Sequence, residues 1–400
     1  MIDPRAMRAP HGPRIFDDLR VLDFSAIIAG SYCTRMLADL GADVLKVEPP
    51  SGELMRHIGP MRGEFSTVFS ALNSGKRSLK LDLKQAGAAD ICKRLVAQYD
   101  VVVENFSPGV MQRLGLDYAR LREHNEKLVM CSISGYGQEG PAAGLPAFAP
   151  IVQALSGYEL VNQLSQPGLA RPLNMGLPVA DTTAALQAFG AISAALYYRL
   201  RTGVGQYIDI AMMDSLVSTM HRDFQTAFNP DLNLRVYGPL ATNDGYIVAM
   251  PLSQPQFVKL AQAIGRPEML DDPRFITSRA RFEHYNELMA LTEAWTRTRS
   301  ADEALGGLTA ADVPCARYRR IAELADDAQL MHRDMLVDIV DGAGPLKVPN
   351  TPFLFSATHA AVYPQVAALG AHNDSVLREE LALNAAQIEA LTAAGVFGQT

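Results

Sequence analysis

The chain has 400 residues, 48% of them hydrophobic, with a net charge of -7 and a pI near 5.7. That length suits two or three domains with sizeable cores, and the acidic balance excludes a general nucleic-acid binder, so a polyanionic ligand must meet a local cluster of lysine and arginine. Cys33, Cys92, Cys131 and Cys315 show no CxxC spacing and lie mostly in apolar runs, which reads as free thiols in a reducing cytoplasm and not as disulfides or a metal site.

Residues 1–15 contain Arg5, Arg8 and Pro10 but no apolar core, which reads as a flexible extension without a secretory signal. Short β-type runs then alternate with helical ones: RVLDF (20–24) before GSYCTRMLADLG (30–41), DVLKVE (43–48), SLKLDL (78–83) before AADICKRLVAQY (88–99), VVVEN (101–105) and KLVMCSIS (127–134). This alternation predicts an α/β fold, a doubly wound parallel sheet with helices on both faces, in a large domain over 16–228. Ligands of such sheets bind at the carboxyl ends of the strands, which singles out Ala26–Gly30 and Glu104–Gly109. The first strand leads into SAIIAGS and lacks G-x-G-x-x-G, so a nicotinamide enzyme is disfavoured.

The segment from Pro178 to Ser215 holds the one apolar run of membrane-spanning length, but Gln187, Ser193 and a terminal Tyr-Tyr-Arg argue for a buried helix in a protein without a membrane span. Asp181 stands at its head, where an acid ordinarily serves as N-cap. NPDLNLR (229–235) reads as a linker. Beyond it, DGYIVAMP is strand-like and QFVKLAQAIG and ELMALTEAWTRT are helical, giving a smaller α/β domain over 236–330. In 331–400, MLVDIVD and KVPNTPF read as strands and the tail as one or two helices.

What lifts Asp181 above an N-cap is its company. Arg199, Thr202, Gly203, Gly205, Gln206, Asp209, Asp214 and Ser215 form R-x-x-T-G-x-G-Q-x-I-D-x-x-M-x-D-S. In this order and spacing the segment resembles the family III CoA-transferases, which include formyl-CoA and carnitine CoA-transferases and the related 2-methylacyl-CoA racemases. Leu19–Gly52, Asn73–Lys84, Val101–Tyr118, Ser132–Pro141, Asp271–Phe275 and Val313–Ala316 match the family in order, so the resemblance covers nearly the whole chain.

The resemblance implies an interlocked homodimer whose C-terminal segment returns to the large domain. It implies a coenzyme A thioester as substrate, with no permanently bound cofactor and no metal, an acyl-CoA donor and a carboxylic acid acceptor. Asp181 would be the nucleophile. CoA contacts would fall on Ile27, Ala29, Leu81, Lys84, Asn105, Phe106 and Arg113. Physically, Lys84 and Arg113 suit phosphates, and Ile27, Leu81 and Phe106 suit the adenine, although such residues are also common as surface charges and core.

A carboxylate against a thioester carbonyl can form a mixed anhydride, which the released thiolate converts into an aspartyl-CoA thioester. The racemase branch needs two positioned acid/base groups, and the His-Asp pair it carries after GYGQ-GP is missing, since no histidine lies between His124 and His221. A catalytically inactive CoA-binding protein would not need Asp181. Phe148 and Ala149 replace a tyrosine and a glutamate of formyl-CoA transferases, which argues against formyl transfer. Pro49 and Pro50 replace an arginine that contacts phosphate in many members, for which Arg56 is a candidate substitute. The acyl pocket is expected near Ala147–Val152 and Met175–Pro178 and in the partner's small domain. Arg171 is a candidate for pairing with a dicarboxylic acceptor.

Overall fold

The computed structural model describes residues 12–164, 166, 169–229 and 237–398; most of the expected N-terminal extension and of the expected linker at 229–235 lie outside them. Six parallel strands form one sheet: β1 (Arg20–Asp23), β2 (Asp43–Glu48), β3 (Arg77–Lys80), β4 (Val101–Glu104), β5 (Val129–Ser134) and β6 (Tyr207–Ala211). Their order across the sheet is β3-β2-β1-β4-β5-β6. The chain therefore builds outward from β1 in one direction and, from β4, in the other, leaving a crevice at the carboxyl ends of β1 and β4.

Both faces of this sheet are buried, as helical crossovers require. Val21, Val44, Val101, Val103, Val129, Cys131 and Ile133 face α1 (Ala29–Asp39) and a long helix, Val179–Thr202, while Leu22, Leu45, Leu79, Val102 and Met130 face a second layer that includes Ala88–Val96 and the C-terminal residues Val376, Leu377, Val396 and Phe397. Further helices of the larger unit include α2 (Thr67–Asn73), α3 (Ala88–Val96), α4 (Val110–Leu114), α5 (Ala149–Leu155), α6 (Val179–Thr202) and α7 (Met212–Val217). By length and composition α6 is able to cross a membrane, but Ala180, Ala184, Ala185, Ala188 and Ala195 form a small-residue face, buried with α1 in one core.

The expected strand 78–83 ends at Lys80. As the edge strand, β3 is covered by the segment after Gly370. His372 Nδ1 accepts from the Ser78 amide at 3.1 Å, the His372 amide donates to Ser78 O, and Asn373 pairs with both backbone groups of Lys80. An unpaired edge is thus closed by side chains.

Two compact units emerge: Met1–Leu160, Asn174–His221 and Ala328–Thr400 form one, and Val161–Leu173 with Arg222–Asp327 the other. The sequence reading instead puts 161–173 in the larger unit and the boundaries at 229–235 and 330. The described side chains of 161–173 are half-buried or exposed and carry no core periodicity by which sequence could assign them. The smaller unit has an antiparallel sheet of β7 (Leu240–Ala241), β8 (Tyr246–Ala249) and β9 (Cys315–Arg317). Phe257, Leu260, Phe275, Leu288 and Leu308 fill its core, and capping boxes at Ser253–Gln256 and Ser300–Glu303 start two of its helices.

Candidate active site

The crevice between β1 and β4 holds a cavity of about 240 Å³ lined by Ile27, Ala29, Asn105 and Phe106 from the two strand ends, Ile133–Gly135 from β5, the loop Ala143–Phe148, Met212, and Asp181. Among the described residues, Asp181 is the only ionisable side chain in that lining. Burial pushes its carboxyl up to about 6, and a hydrogen bond from the Ala29 amide at the start of α1 offsets part of the shift.

Asp181 is not the cap of its own helix. Pro178 holds the N-cap position of α6, and Asp181 falls in the first turn, with its side chain directed to α1. The capping is done by Gln153 of α5, whose Oε1 accepts from the Val179 amide at 2.9 Å and the Ala180 amide at 3.4 Å, while its Nε2 donates to buried Glu159 at 2.8 Å. Asp181 is thereby released from satisfying backbone donors, which is the role its sequence position suggests.

Apart from Met212, which lines the cavity, the motif residues taken next are scaffold. Arg199 pairs with Asp100 at 2.9 Å, Gly203 ends α6 at φ +76°, and Asp209 accepts from the Gln138 amide at 2.9 Å. A Cβ on Gly205 would lie 2.0 Å from the Leu128 carbonyl oxygen, so only glycine fits there. Gly135, inside the cavity, would meet the Ala147 Cβ at 2.1 Å, which is how the 143–148 loop comes close to the sheet.

A second cavity of about 330 Å³ lies beside the first, sharing Ala26–Ile27's loop and Phe106; Phe24, Val47, Leu54, Leu81, Leu83, Val110 and Leu114 make it largely apolar, and exposed Lys84 stands in its lining. Of the seven expected contact residues, Ile27, Ala29, Asn105 and Phe106 meet Asp181 in one cavity, and Leu81, Lys84 and Phe106 meet in the other. Arg113 lines neither and is exposed on α4, between Val110 and Leu114. Ala147 and Phe148 line the Asp181 cavity, whereas Met175–Pro178 do not.

Arg56 is a correction. Its guanidinium binds buried Glu48 through two hydrogen bonds of 2.6 and 2.8 Å and stacks 3.9 Å over the Phe69 ring, so it is committed to the scaffold and not free for phosphate. Gln153, and Glu53, whose Oε2 accepts from the Ile27 amide at 2.8 Å, both escape a reading of the sequence, because neither sits in a motif and each acts on a backbone far along the chain. Glu104, buried at the end of β4 with its carboxyl pushed up to about 7, lines a separate cavity with Tyr118, Ser132 and Tyr207; an acid closing a buried hydrophobic strand was its one sequence signal.

The family model described as CoA-transferase family III matches residues 16–373. The succinyl-CoA–D-citramalate CoA-transferase of Chloroflexus aurantiacus is 33% identical, over 98% of this chain and 100% of its own. The succinyl-CoA:mesaconate CoA-transferase of Haloarcula hispanica is 35% identical, over 91% and 96%. The crystal structure of a CAIB/BAIF family protein from Brucella suis superposes with a TM-score of 0.80 at 31% identity, covering 92% of this chain and 100% of that one.

Proposed function

Because this chain belongs to CoA-transferase family III and is an enzyme of that family, we propose that it moves CoA between carboxylic acids through covalent intermediates on Asp181. The observation that carries the reading is the isolation of Asp181 as the one ionisable group, among the described residues, in its cavity. The Asp181 carboxylate attacks the thioester carbonyl, forming a mixed anhydride and expelling the CoA thiolate. That thiolate attacks the aspartyl carbonyl of the anhydride, forming aspartyl-CoA thioester and releasing the donor acid as its carboxylate. The acceptor carboxylate attacks this thioester, giving a second anhydride and thiolate, and the thiolate takes the acceptor acyl group and frees Asp181.

No step in this sequence transfers a proton, so a lone carboxylate suffices, whereas racemisation requires two acid/base groups. The apolar lining from Ile27, Phe106, Ile133, Leu145, Phe148 and Met212 keeps water from the anhydride. Binding of the remote nucleotide, by Leu81, Lys84 and Phe106 in the second cavity with Arg113 reaching phosphate, holds the thioester against Asp181. Ile27, Ala29 and Asn105 would contact the thioester end. Both relatives named above carry succinyl-CoA in their names, which supports succinyl-CoA as donor and a dicarboxylic acid as acceptor, with Arg171 as a partner for the distal carboxylate.

The protein acts as a cytoplasmic homodimer without a resident cofactor. Exposed Leu186, Tyr197, Tyr198 and Leu200 on α6 support a partner chain on that face, and three buried free cysteines support a reducing compartment. The experiment is intact mass after incubation with succinyl-CoA and hydroxylamine. A hydroxamate on Asp181 in the wild type, absent in Asp181→Ala, is the expected result. No adduct with succinyl-CoA or acetyl-CoA, together with α-proton exchange of a 2-methylacyl-CoA in deuterium oxide, would overturn it.

A further inference from the structure

Between β1 and α1 the chain turns through Ser25–Ile28, and three successive residues of this turn are tied from behind. The Ser25 amide donates to Asp23 at 2.9 Å and its carbonyl accepts from buried Lys46 at 2.7 Å. Asn105 clasps Ala26 through both its backbone groups. The Ile27 amide donates to Glu53 Oε2 at 2.8 Å.

Ile27 needs that anchor. It is a β-branched residue held at φ +64°, a left-handed conformation in which its Cβ crowds the carbonyl. Such outliers persist only where the surroundings over-determine them. Glu53 itself is buried, and its Oε1 lies 3.3 Å from Lys46 Nζ, an ion pair off the hydrogen-bond line. Glu53 and Lys46 therefore grip the same turn from two sides, one at the Ile27 amide and one at the Ser25 carbonyl. Two residues beyond Ile27 is Ala29, which opens α1 and lines the same cavity as Asp181, with its amide turned toward that carboxylate.

We propose that Glu53 is a positioning residue for the reaction: by anchoring Ile27 in the left-handed conformation, it fixes the turn into α1 and so sets the Ala29 amide against the Asp181 carboxylate. This rests on Asp181 being the nucleophile. A purely structural role is the competing account, because Glu53 Oε2 also accepts from the Met55 amide at 3.2 Å and caps the short turn Leu54–Arg56.

The sign of one titration separates the two. Among the described residues no other ionisable side chain lines the Asp181 cavity, and the charges behind the turn are Asp23, Lys46, Glu48, Glu53 and Lys76. Removing the Glu53 charge alone lowers the Asp181 titration point by relieving like-charge repulsion, whereas losing the Ala29 amide raises it. The Asp181 carboxyl is followed by carbon-13 NMR in the ligand-free protein, assigned with Asp181→Asn, in wild type, Glu53→Ala, Glu53→Gln, Ile27→Gly and Ile27→Gly/Glu53→Ala. Single-turnover adduct formation with succinyl-CoA is measured alongside.

Glu53→Ala is expected to move the titration upward by about half a unit or more and to slow adduct formation about tenfold. Glu53→Gln, which keeps an acceptor oxygen, is expected to recover part of both. In the Ile27→Gly background the same Glu53→Ala change is expected to cost no more than about twofold, because glycine takes the left-handed conformation unaided. A downward or absent shift, or an equal loss in the glycine background, overturns the proposal. Should Glu53→Ala fail to fold, Glu53→Gln and the double variant are read against the same criteria. Transfer that survives Asp181→Ala sinks the functional reading and this proposal with it, whereas a downward or absent shift in a protein whose adduct does form on Asp181 sinks only the role of Glu53.

Discussion

The Asn105 side chain clasps the backbone of Ala26, its Oδ1 accepting from the Ala26 amide and its Nδ2 donating to the Ala26 carbonyl, each at 2.8 Å. The pair joins the ends of β4 and β1 across the crevice in which the strand order reverses, so one side chain extends the contact between these paired strands into the loops that wall the Asp181 cavity. Only a carboxamide presents a donor and an acceptor at that spacing.

Asn105→Ala therefore leaves two partly buried backbone groups without partners, and an unfolding free energy lower by about 1–3 kcal/mol is expected in urea titration. Asn105→Asp is expected to be worse, because it sets a carboxylate against the Ala26 carbonyl. Both variants should raise KM for the CoA thioester. An Asn105→Asp protein as stable as wild type would mean that the clasp contributes nothing.

The Asp181 carboxyl titrates at about 6, and it must be ionised to attack, so kcat/KM should fall below that pH with a single acid limb. Stability responds in the opposite sense. A folded carboxyl raised above its unfolded value near 3.8 is penalised when ionised, fully so above pH 6 and not at all below the unfolded value. Asp181→Asn should abolish transfer yet raise unfolding free energy at pH 7.5 by up to about 2 kcal/mol, discounted for partial solvent contact. The gain should vanish by about pH 4 in chemical denaturation run across pH.

Two glycines of the TGxGQ run test different constraints. Gly203 has open space but φ +76°, so Gly203→Ala should cost about 1 kcal/mol from backbone strain alone. Gly205 has ordinary backbone but no room, with the Leu128 carbonyl oxygen 2.0 Å from an added Cβ, so Gly205→Ala should cost about 3 kcal/mol or more. Equal losses in thermal or chemical unfolding would contradict this division.

His372 accepts the Ser78 amide on the edge strand and can do so only when neutral. Burial and the neighbouring Arg77 lower its pKa below the ordinary 6.5. Its contribution to stability is therefore complete above 6.5 and is lost as pH falls through the lower folded value. Hydrogen exchange at Ser78 should accelerate on acidification from pH 7 to about pH 5 in the wild type beyond the intrinsic trend, and this extra dependence should disappear in His372→Asn.

The alternation of strands and helices, the strand-end placement of Ala26–Gly30 and Glu104–Gly109, and Asp181 at the head of an apolar helix were all legible, since each is local information carried by a run of neighbouring residues. The resemblance carried by Arg199–Ser215 pointed to the right family, although in the fold most of those residues turn out to build the scaffold around Asp181 and do not line its cavity. Arg56 misled because an arginine near a strand end looks the same in sequence whether it meets a phosphate or a buried glutamate.

What sequence alone determined, then, was the fold class and the position of the carboxylate along the chain. Whether that carboxylate caps its own helix or stands alone in a cavity was decided only by tertiary structure. Gln153 relieves Asp181 of capping from 26 positions away from Val179, Glu53 anchors Ile27 across 26 positions, and Asn105 holds Ala26 across 79. Each of these is a hydrogen bond between a side chain and a distant backbone group. Such bonds leave no periodicity and demand no motif, because any side chain of the right reach, brought there by the packing of the sheet and its helices, satisfies the same amide.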